Sequence, residues 1–441
     1  MELKTFRGGI HPPYKKEATA GKATVKSSVP GEVVIPVQQH VGAPNTPTVK
    51  VGDRVEAGQK IGSSEAFISA PVHSSVSGTV KAIEERPNFT GAPTNSIVIT
   101  ADASQPDKWA EKKDVSGLSP EQIREVAKEA GLVGLGGAAF PTFVKLTPPK
   151  DKPIDTVIIN GCECEPFLTC DHRLMMERPD DLIAGLKLMM KVVGAQRGII
   201  GVEANKMDAI DLLTSKVSGE PGIEVVALEV KYPEGAEKML IEAVTGRRVP
   251  PQKLPSEVSV LVQNVGTAIA LYEAAALGKP VVERVLTVTG PCIKEPKNLV
   301  VKVGTPISHV IEQCGGLVGT PVKIIMGGPM TGWAQKDLTA SVVKGTSGIL
   351  ALDAATVDMN AEQRCVGCDQ CLDACPMFLT PNLIVKSARL GKWEEADKYG
   401  ARDCFECGAC SYVCPSKIPH VAYVRKSKAE LAAASEVKGG A

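Results

Sequence analysis

Two cysteine runs limit what this chain can fold into. The first reads Cys365-Val-Gly-Cys368-Asp-Gln-Cys371-Leu-Asp-Ala-Cys375-Pro376, the second Cys404-Phe-Glu-Cys407-Gly-Ala-Cys410-Ser-Tyr-Val-Cys414-Pro415. Each has the C-x2-C-x2-C-x3-C-P spacing by which one polypeptide holds two [4Fe-4S] clusters, the fourth cysteine of each run serving the other cluster. The pattern assigns Cys365, Cys368, Cys371 and Cys414 to one cluster and Cys404, Cys407, Cys410 and Cys375 to the second. Such crossing forces the runs to fold against each other. Two-residue gaps let three thiolates converge on one face of a cuboidal cluster, and soft thiolates suit iron and sulfur. A four-cysteine zinc site instead pairs two short C-x2-C elements across a longer spacer, and disulfides need an oxidising compartment. The expected consequence is electron transfer, one electron at a time.

Composition narrows the rest. A chain of 441 residues is too long for one core, so three or four domains are expected. Its 50 basic and 50 acidic residues cancel, leaving no field to attract nucleic acid. No apolar run is long enough to predict a membrane span. Met1-Glu2-Leu3-Lys4 lacks the apolar core of a secretory signal, and 13 cysteines without export point to a reducing cytoplasm and to metal ligation. Any membrane role is expected to be peripheral.

Residues 1–112 are rich in Val, Gly, Pro and Thr in short alternating runs, which reads as β structure. Val49 to Gly62 and Ile68 to Val80 resemble the halves of a lipoyl-type barrel sandwich. Gly52-Asp53 supplies a turn and Gly78 a bulge or bend. The hairpin between the halves, Ser63 to Phe67, has no lysine to carry a swinging cofactor, so a structural or docking role is expected. Residues 113–278 alternate strands and helices in Rossmann-like order. Ser119 caps a helix with proline at its first turn, and the buried-type strand Asp155 to Asn160 delivers Asn160-Gly-Cys-Glu-Cys-Glu-Pro166 to its C-terminal end, where open α/β sheets bind ligands. Residues 279–352 read as short strands around one helix, and 353–441 as the cluster domain with a linking segment from Asp353 to Gln363. In the last stretch Asn382 to Tyr399 reads as a helix, with Leu383, Ile384, Ala388 and Leu390 free to cover the clusters, and the tail from Lys417 onward is expected to fray.

Several motifs acquire meaning together. Gly134-x-Gly136-Gly137-x-x-Phe140-Pro141-Thr142-x-x-Lys145, Asn160-x-x-Glu163-x-Glu165-Pro166, Tyr232-x-x-Gly235-x-Glu237 and Asn264-Val-x-Thr267 resemble the FMN-bearing, NADH-oxidising subunit of respiratory complex I. The resemblance implies FMN binding by Gly134, Gly136, Gly137, Lys145, Asn160 and Asn264, with Glu163, Glu165 and Glu237 at the flavin edge and NADH. Leu135, Ala139, Cys162, Ala236 and Gln263 depart from that family's residues. A match along nearly the whole chain adds Gly8-Gly-Ile-His-Pro-Pro13, Leu168-Thr-Cys-Asp-His-Arg173 and Met326-Gly-Gly-Pro-Met330-x-Gly332. With the double cluster run these resemble the C subunit of Rnf-type electron transport complexes. That family implies a barrel, an FMN/NADH domain, a soluble-ligand-binding β-grasp (SLBB) domain and a two-cluster ferredoxin domain, in that order.

A carrier of hydride and a carrier of single electrons need a converter, and flavin is the usual one. The expected function is NAD(H) oxidoreduction through FMN and two [4Fe-4S] clusters, with no acid–base residue assigned. The expected setting is a membrane-bound, ion-translocating complex joining NADH and, indirectly, ferredoxin. Two alternatives are a soluble NADH-dependent corrin reductase and an electron-wire subunit without nucleotide binding. Cys162, Cys164 and Cys170 read as buried thiols in a ligand loop. The β-grasp domain is assigned no ligand, and Cys292 and Cys314 no role.

Overall fold

The computed structural model describes residues 2–105 and 109–439. Two small antiparallel sheets make the barrel sandwich. One runs Glu32–Pro36, Pro93–Ala101, Gly78–Pro87, Arg54–Val55, the other Thr46–Pro47, Lys60–Ser63, Val72–His73. Alternation turns Val33, Ile35, Ile61, Val72, Val80, Ile97 and Ile99 inward as one core. Gly52, at φ +91°, makes the turn as expected. The bulge lies between Val80 and Ala82. Gly78 serves a different end: a Cβ there would lie 2.1 Å from the Thr100 carbonyl oxygen of the neighbouring strand.

Residues 2–26 lie outside the two barrel sheets and run as a strap over the other domains. Lys4 and Ile10 bridge to Leu228 and Tyr232, and the Gly9 N–H donates to the Ala374 carbonyl at 3.2 Å. Thr24–Lys26 then pairs in parallel with Lys297–Lys302. This strap reaches three domains: Lys4 and Thr24–Lys26 join the edges of two sheets, while Gly9 meets the end of the short helix Gln370–Asp373 in the third.

Four parallel strands form the central sheet, in the order Ile223–Leu228, Arg197–Glu203, Thr156–Gly161, Val260–Asn264. Their β-branched runs are buried on both faces. Helices Pro120–Glu129, Pro179–Val193 and Val265–Leu277 share one core, and Glu237–Thr245 lies in the other. Ser119 and Gln122 close a reciprocal cap on the first of them. The β-grasp sheet has six strands, ordered Thr24–Lys26, Lys297–Lys302, Glu283–Thr289, Gly348–Leu352, Lys323–Met326, Trp333–Gln335, with the helix Ile307–Glu312 packed on it.

The cluster domain is helical, with two corrections. Asn382 to Tyr399 is two helices, Pro381–Arg389 and Trp393–Lys398, separated at Gly391 with φ +68°. Leu390 therefore sits in the break, 63% exposed, rather than over a cluster. The tail does not fray over its described length: His420–Gly439 is a helix that buries Val424 against Ile384, Ala396 and Ala401. Gly440 and Ala441 lie outside the described residues.

Candidate functional site

One cleft of about 650 Å³ opens where the domains meet, a size suited to a bound cofactor. Gly136, Gly137, Asn160, Glu163, Glu165 and Asn264 all line it. The glycine loop is held as a small closed turn, because the Gly134 N–H donates to Phe140 O at 2.8 Å and the Ala139 N–H to Gly134 O at 3.0 Å. Gly134 thus shapes the loop from behind. A side chain on Gly136 would press on Asn264 at 3.1 Å, whereas Gly137, at φ +107°, has open space where a Cβ would stand. That is a cradle that a flat or phosphorylated ligand can approach along the backbone. Asn160 donates to Gly235 O at 2.7 Å. Asn264 caps the helix Val265–Leu277 through its Oδ1 and donates from Nδ2 to Asp171 Oδ2 at 2.7 Å.

Lys145 and Glu237 are brought together elsewhere. The Lys145 ammonium donates to Glu237 Oε1 at 2.5 Å and to Val262 O at 2.8 Å, and neither side chain lines the cleft. The pair ties the glycine loop's helix to the sheet.

The loop Cys162 to Asp171 carries most of the polar wall. Glu163 stands at φ +48° and its carboxylate accepts the Asp171 and His172 N–H groups at 2.7 and 3.2 Å, at the start of the helix Cys170–Glu177. Glu165 crosses to the β-grasp domain, accepting the Met330 and Thr331 N–H groups at 3.0 and 2.9 Å. Burial raises its pKa against those stabilising bonds. From the other side two buried ammonium groups hold the loop's carbonyls. Lys16 Nζ donates to the carbonyls of Glu163, Glu165 and Leu168, and Lys206 Nζ to that of Cys162 at 2.6 Å. The thiols of Cys162, Cys164 and Cys170 are pushed up by burial, which keeps them neutral.

Sequence reasoning missed several of these residues. Asp171 lines the cleft, and burial followed by the neighbouring Glu163 raises its pKa to about 7. Lys16 sits in no motif. The β-grasp domain, assigned no ligand, supplies Gly327, Gly328, Thr331 and Trp333 to the wall, and the barrel supplies His40 and Phe89. The repeated glycines of Met326 to Gly332 were the available signal, since they let backbone come close to whatever lies opposite.

Beneath this wall Glu234 is fully buried with both carboxylate oxygens unpartnered among the described residues. Burial and then Glu203 move its pKa from 4.5 to about 9. Between those values the folded chain keeps a proton that the unfolded chain releases, so this group's stabilising contribution declines as pH rises through the window. Glu234→Gln keeps the shape without the titration and should flatten the profile, giving a variant that gains on the parent from pH 6 to pH 9. Thermal unfolding of both proteins across that range checks it; parallel profiles would refute it.

The cysteine runs fold against each other. The Ser416 hydroxyl donates to Arg364 O and the Gln363 N–H to Ser416 O, both at 2.8 Å, joining the start of one run to the end of the other. Cys365, Cys368, Cys371 and Cys414 line one small cavity. Cys375 belongs with the second run: after burial, the thiols that raise Cys410 are Cys407, Cys404 and Cys375. Each quartet thus holds one crossed cysteine. No three His, Cys, Asp or Glu side chains among the described residues converge tightly enough to hold a single metal ion.

The cleft and the second quartet share a wall. Phe405, between Cys404 and Cys407, lines the cleft, Cys164 packs in one apolar cluster with Cys407, and the Tyr232 hydroxyl donates to Cys407 O at 2.6 Å. The first quartet faces outward: Cys365 and Cys368 are exposed. Among the described residues no helix is long and apolar enough to cross a membrane.

Comparison with known proteins agrees with this arrangement. Residues 4–104 match the RnfC barrel sandwich hybrid domain, 127–273 the Nuo51 FMN-binding domain, 285–334 the SLBB domain and 362–418 the 4Fe-4S dicluster domain. The C subunit of the proton-translocating ferredoxin:NAD(+) oxidoreductase complex of Clostridium ljungdahlii is 44% identical, over 98% of this chain and 95% of that protein. Its counterpart in the Na(+)-translocating complex of Acetobacterium woodii is 45% identical over 97% of both chains. The corresponding C subunit of the ion-translocating oxidoreductase complex of Rhodobacter capsulatus is 37% identical over 91% of this chain and 78% of that one. With an FMN-binding domain, a 4Fe-4S dicluster domain and relatives of this similarity along nearly its whole length, the chain belongs to the family of Rnf-type complex C subunits.

Proposed function

We propose that the chain exchanges hydride between NAD(H) and FMN and passes single electrons through two [4Fe-4S] clusters. It does so as a peripheral subunit, on the cytoplasmic face, of a membrane-bound ion-translocating complex that links ferredoxin to NAD. The observation that carries this reading is the shared wall, in which Phe405, Cys164 and Tyr232 stand between the cleft and the second cysteine quartet. Bound FMN supplies the conversion between electron pairs and single electrons, and the clusters supply the one-electron relay.

The chain's own residues do the positioning. Gly136, Gly137, Asn160 and Asn264 would hold FMN, with Gly134 closing the loop and the Lys145–Glu237 pair bracing it. Glu163 and Glu165 shape the edge facing NADH, each fixed by backbone N–H groups. Asp171 is a wall side chain whose carboxyl is held well above the usual carboxylate range by burial and by the neighbouring Glu163. Cys375, Cys404, Cys407 and Cys410 would hold the inner cluster, and Cys365, Cys368, Cys371 and Cys414 the outer one, whose exposure suits exchange with a neighbouring protein of the complex. The working domains fall at 1–112, 113–278, 279–352 and 353–441, with the strap lying across them.

An anaerobic preparation assayed for flavin, iron and NADH-driven dye reduction tests the reading. We expect FMN, about eight irons per chain, and bleaching of both chromophores by NADH. Zinc in place of iron, or no flavin under any condition, overturns it. Cobalamin reduction without membrane association would favour the corrin reductase alternative.

A further inference from the structure

The barrel domain has no lysine for a swinging cofactor, yet it reaches the cleft. Its tight turn between Gly78–Pro87 and Pro93–Ala101 places Phe89 there, opposite Trp333 of the β-grasp domain. The two rings meet edge to face, with centroids 6.3 Å apart and planes at 72°. One side chain locks both: Gln335 Nε2 donates to Phe89 O at 2.7 Å and to Trp333 O at 2.9 Å. The Arg425 guanidinium, from the C-terminal helix, lies 4.5 Å over the Trp333 ring. Trp333 nonetheless stays 36% exposed. A large aromatic ring braced from two sides and still open to a cleft is a prepared stacking surface.

The cleft's composition says what would stack. No Lys or Arg is among its lining residues, and three carboxylates are. A phosphorylated ligand would therefore be held by backbone N–H groups, by neutral donors such as Gln38, Asn88 and Thr331, and by its planar parts. A nicotinamide dinucleotide has two planar ends. Its nicotinamide must meet the flavin, which the glycine loop and Asn264 place on the FMN-binding domain. Besides His40, three aromatic side chains line the cleft, and one of them, Phe405, lies within the inner cysteine run. Phe89 and Trp333 remain for the second planar end.

We propose that Phe89 and Trp333 form the subsite for the adenine half of the nicotinamide dinucleotide. The barrel and β-grasp domains grip one end of the substrate while the FMN-binding domain receives the other. This rests on the NAD(H) reading above, and it gives the lysine-free barrel a role in substrate binding.

ADP-ribose, which carries the adenine without the nicotinamide, is the probe. The full chain, prepared anaerobically with its cofactors, is titrated by calorimetry and by tryptophan fluorescence. Phe89→Leu and Trp333→Leu should each weaken ADP-ribose binding roughly tenfold, the range set by stacking of a base on an aromatic ring. Reduced nicotinamide mononucleotide should bind both variants as it binds the parent, with flavin content unchanged. Trp333→Phe should restore most of the affinity and abolish the fluorescence response, since Trp109 and Trp393 are outside the cleft lining. Unaltered ADP-ribose affinity in both leucine variants overturns the subsite, as does an equal loss for both probes. The two readings fail separately: if NADH bleaches the parent's flavin while ADP-ribose ignores both variants, only the subsite falls. If NADH leaves the parent's flavin untouched, the NAD(H) reading falls and takes the subsite with it.

Discussion

Cys375→Ala should cost the protein the cluster of the other cysteine run. Cys375 lies in the first run, yet it is 9% exposed and its thiol sits with Cys404, Cys407 and Cys410. With three ligands left, that cluster is lost and iron falls from about eight to about four per chain. The decisive signature is kinetic. The missing cluster is the one beside Phe405 and Cys164, so NADH should still bleach the flavin while dye reduction falls to background. Cys414→Ala should also halve the iron but remove the outward cluster, leaving the inner one reducible by NADH. Iron analysis with electron paramagnetic resonance on both variants separates the cases. If Cys375→Ala kept the inner signal and lost the outer one, the crossed assignment would be wrong.

Lys16→Met should release the whole acidic loop. The Lys16 side chain is buried, and its ammonium is held by three backbone carbonyls of one short segment. Burial lowers its pKa, Glu163 partly restores it, and Lys206 opposes that recovery. Methionine fills similar volume but leaves those carbonyls without donors in a site closed to water. Stranding buried polar partners in this way costs about 3–5 kcal/mol. Urea unfolding should show that loss, and NADH-driven bleaching of the flavin should weaken because Glu163 and Glu165 leave the edge facing NADH. A variant as stable as the parent and bleached as readily would show the loop to be held by its other bonds.

How much of this could be read from residues alone follows distance along the chain. The cysteine spacing carries its own geometry within fifty residues, so both quartets were legible. So were the alternating strands and helices, because β-branched runs and capped amphipathic segments announce themselves locally. Lys16 lies 147 residues from the first carbonyl it holds, and Glu165 lies 165 residues from the Met330 N–H. Nothing local marks either partnership. Lys145 and Glu237 were legible as motif residues, but their pairing with each other was not, since a motif names participants without their partners. The tail was misjudged for a different reason. Its ending in Ala, Lys and Gly reads as a fraying terminus, yet alanine and lysine are strong helix formers, and a few apolar side chains suffice to dock it.

The strap has a consequence for how the molecule is made. Its partners, Leu228, Tyr232, Lys297 to Lys302 and Ala374, all leave the ribosome after it. Synthesis runs from the N-terminus and domains fold as they emerge, so each stretch of the strap can take its place only after the module that receives it has been made.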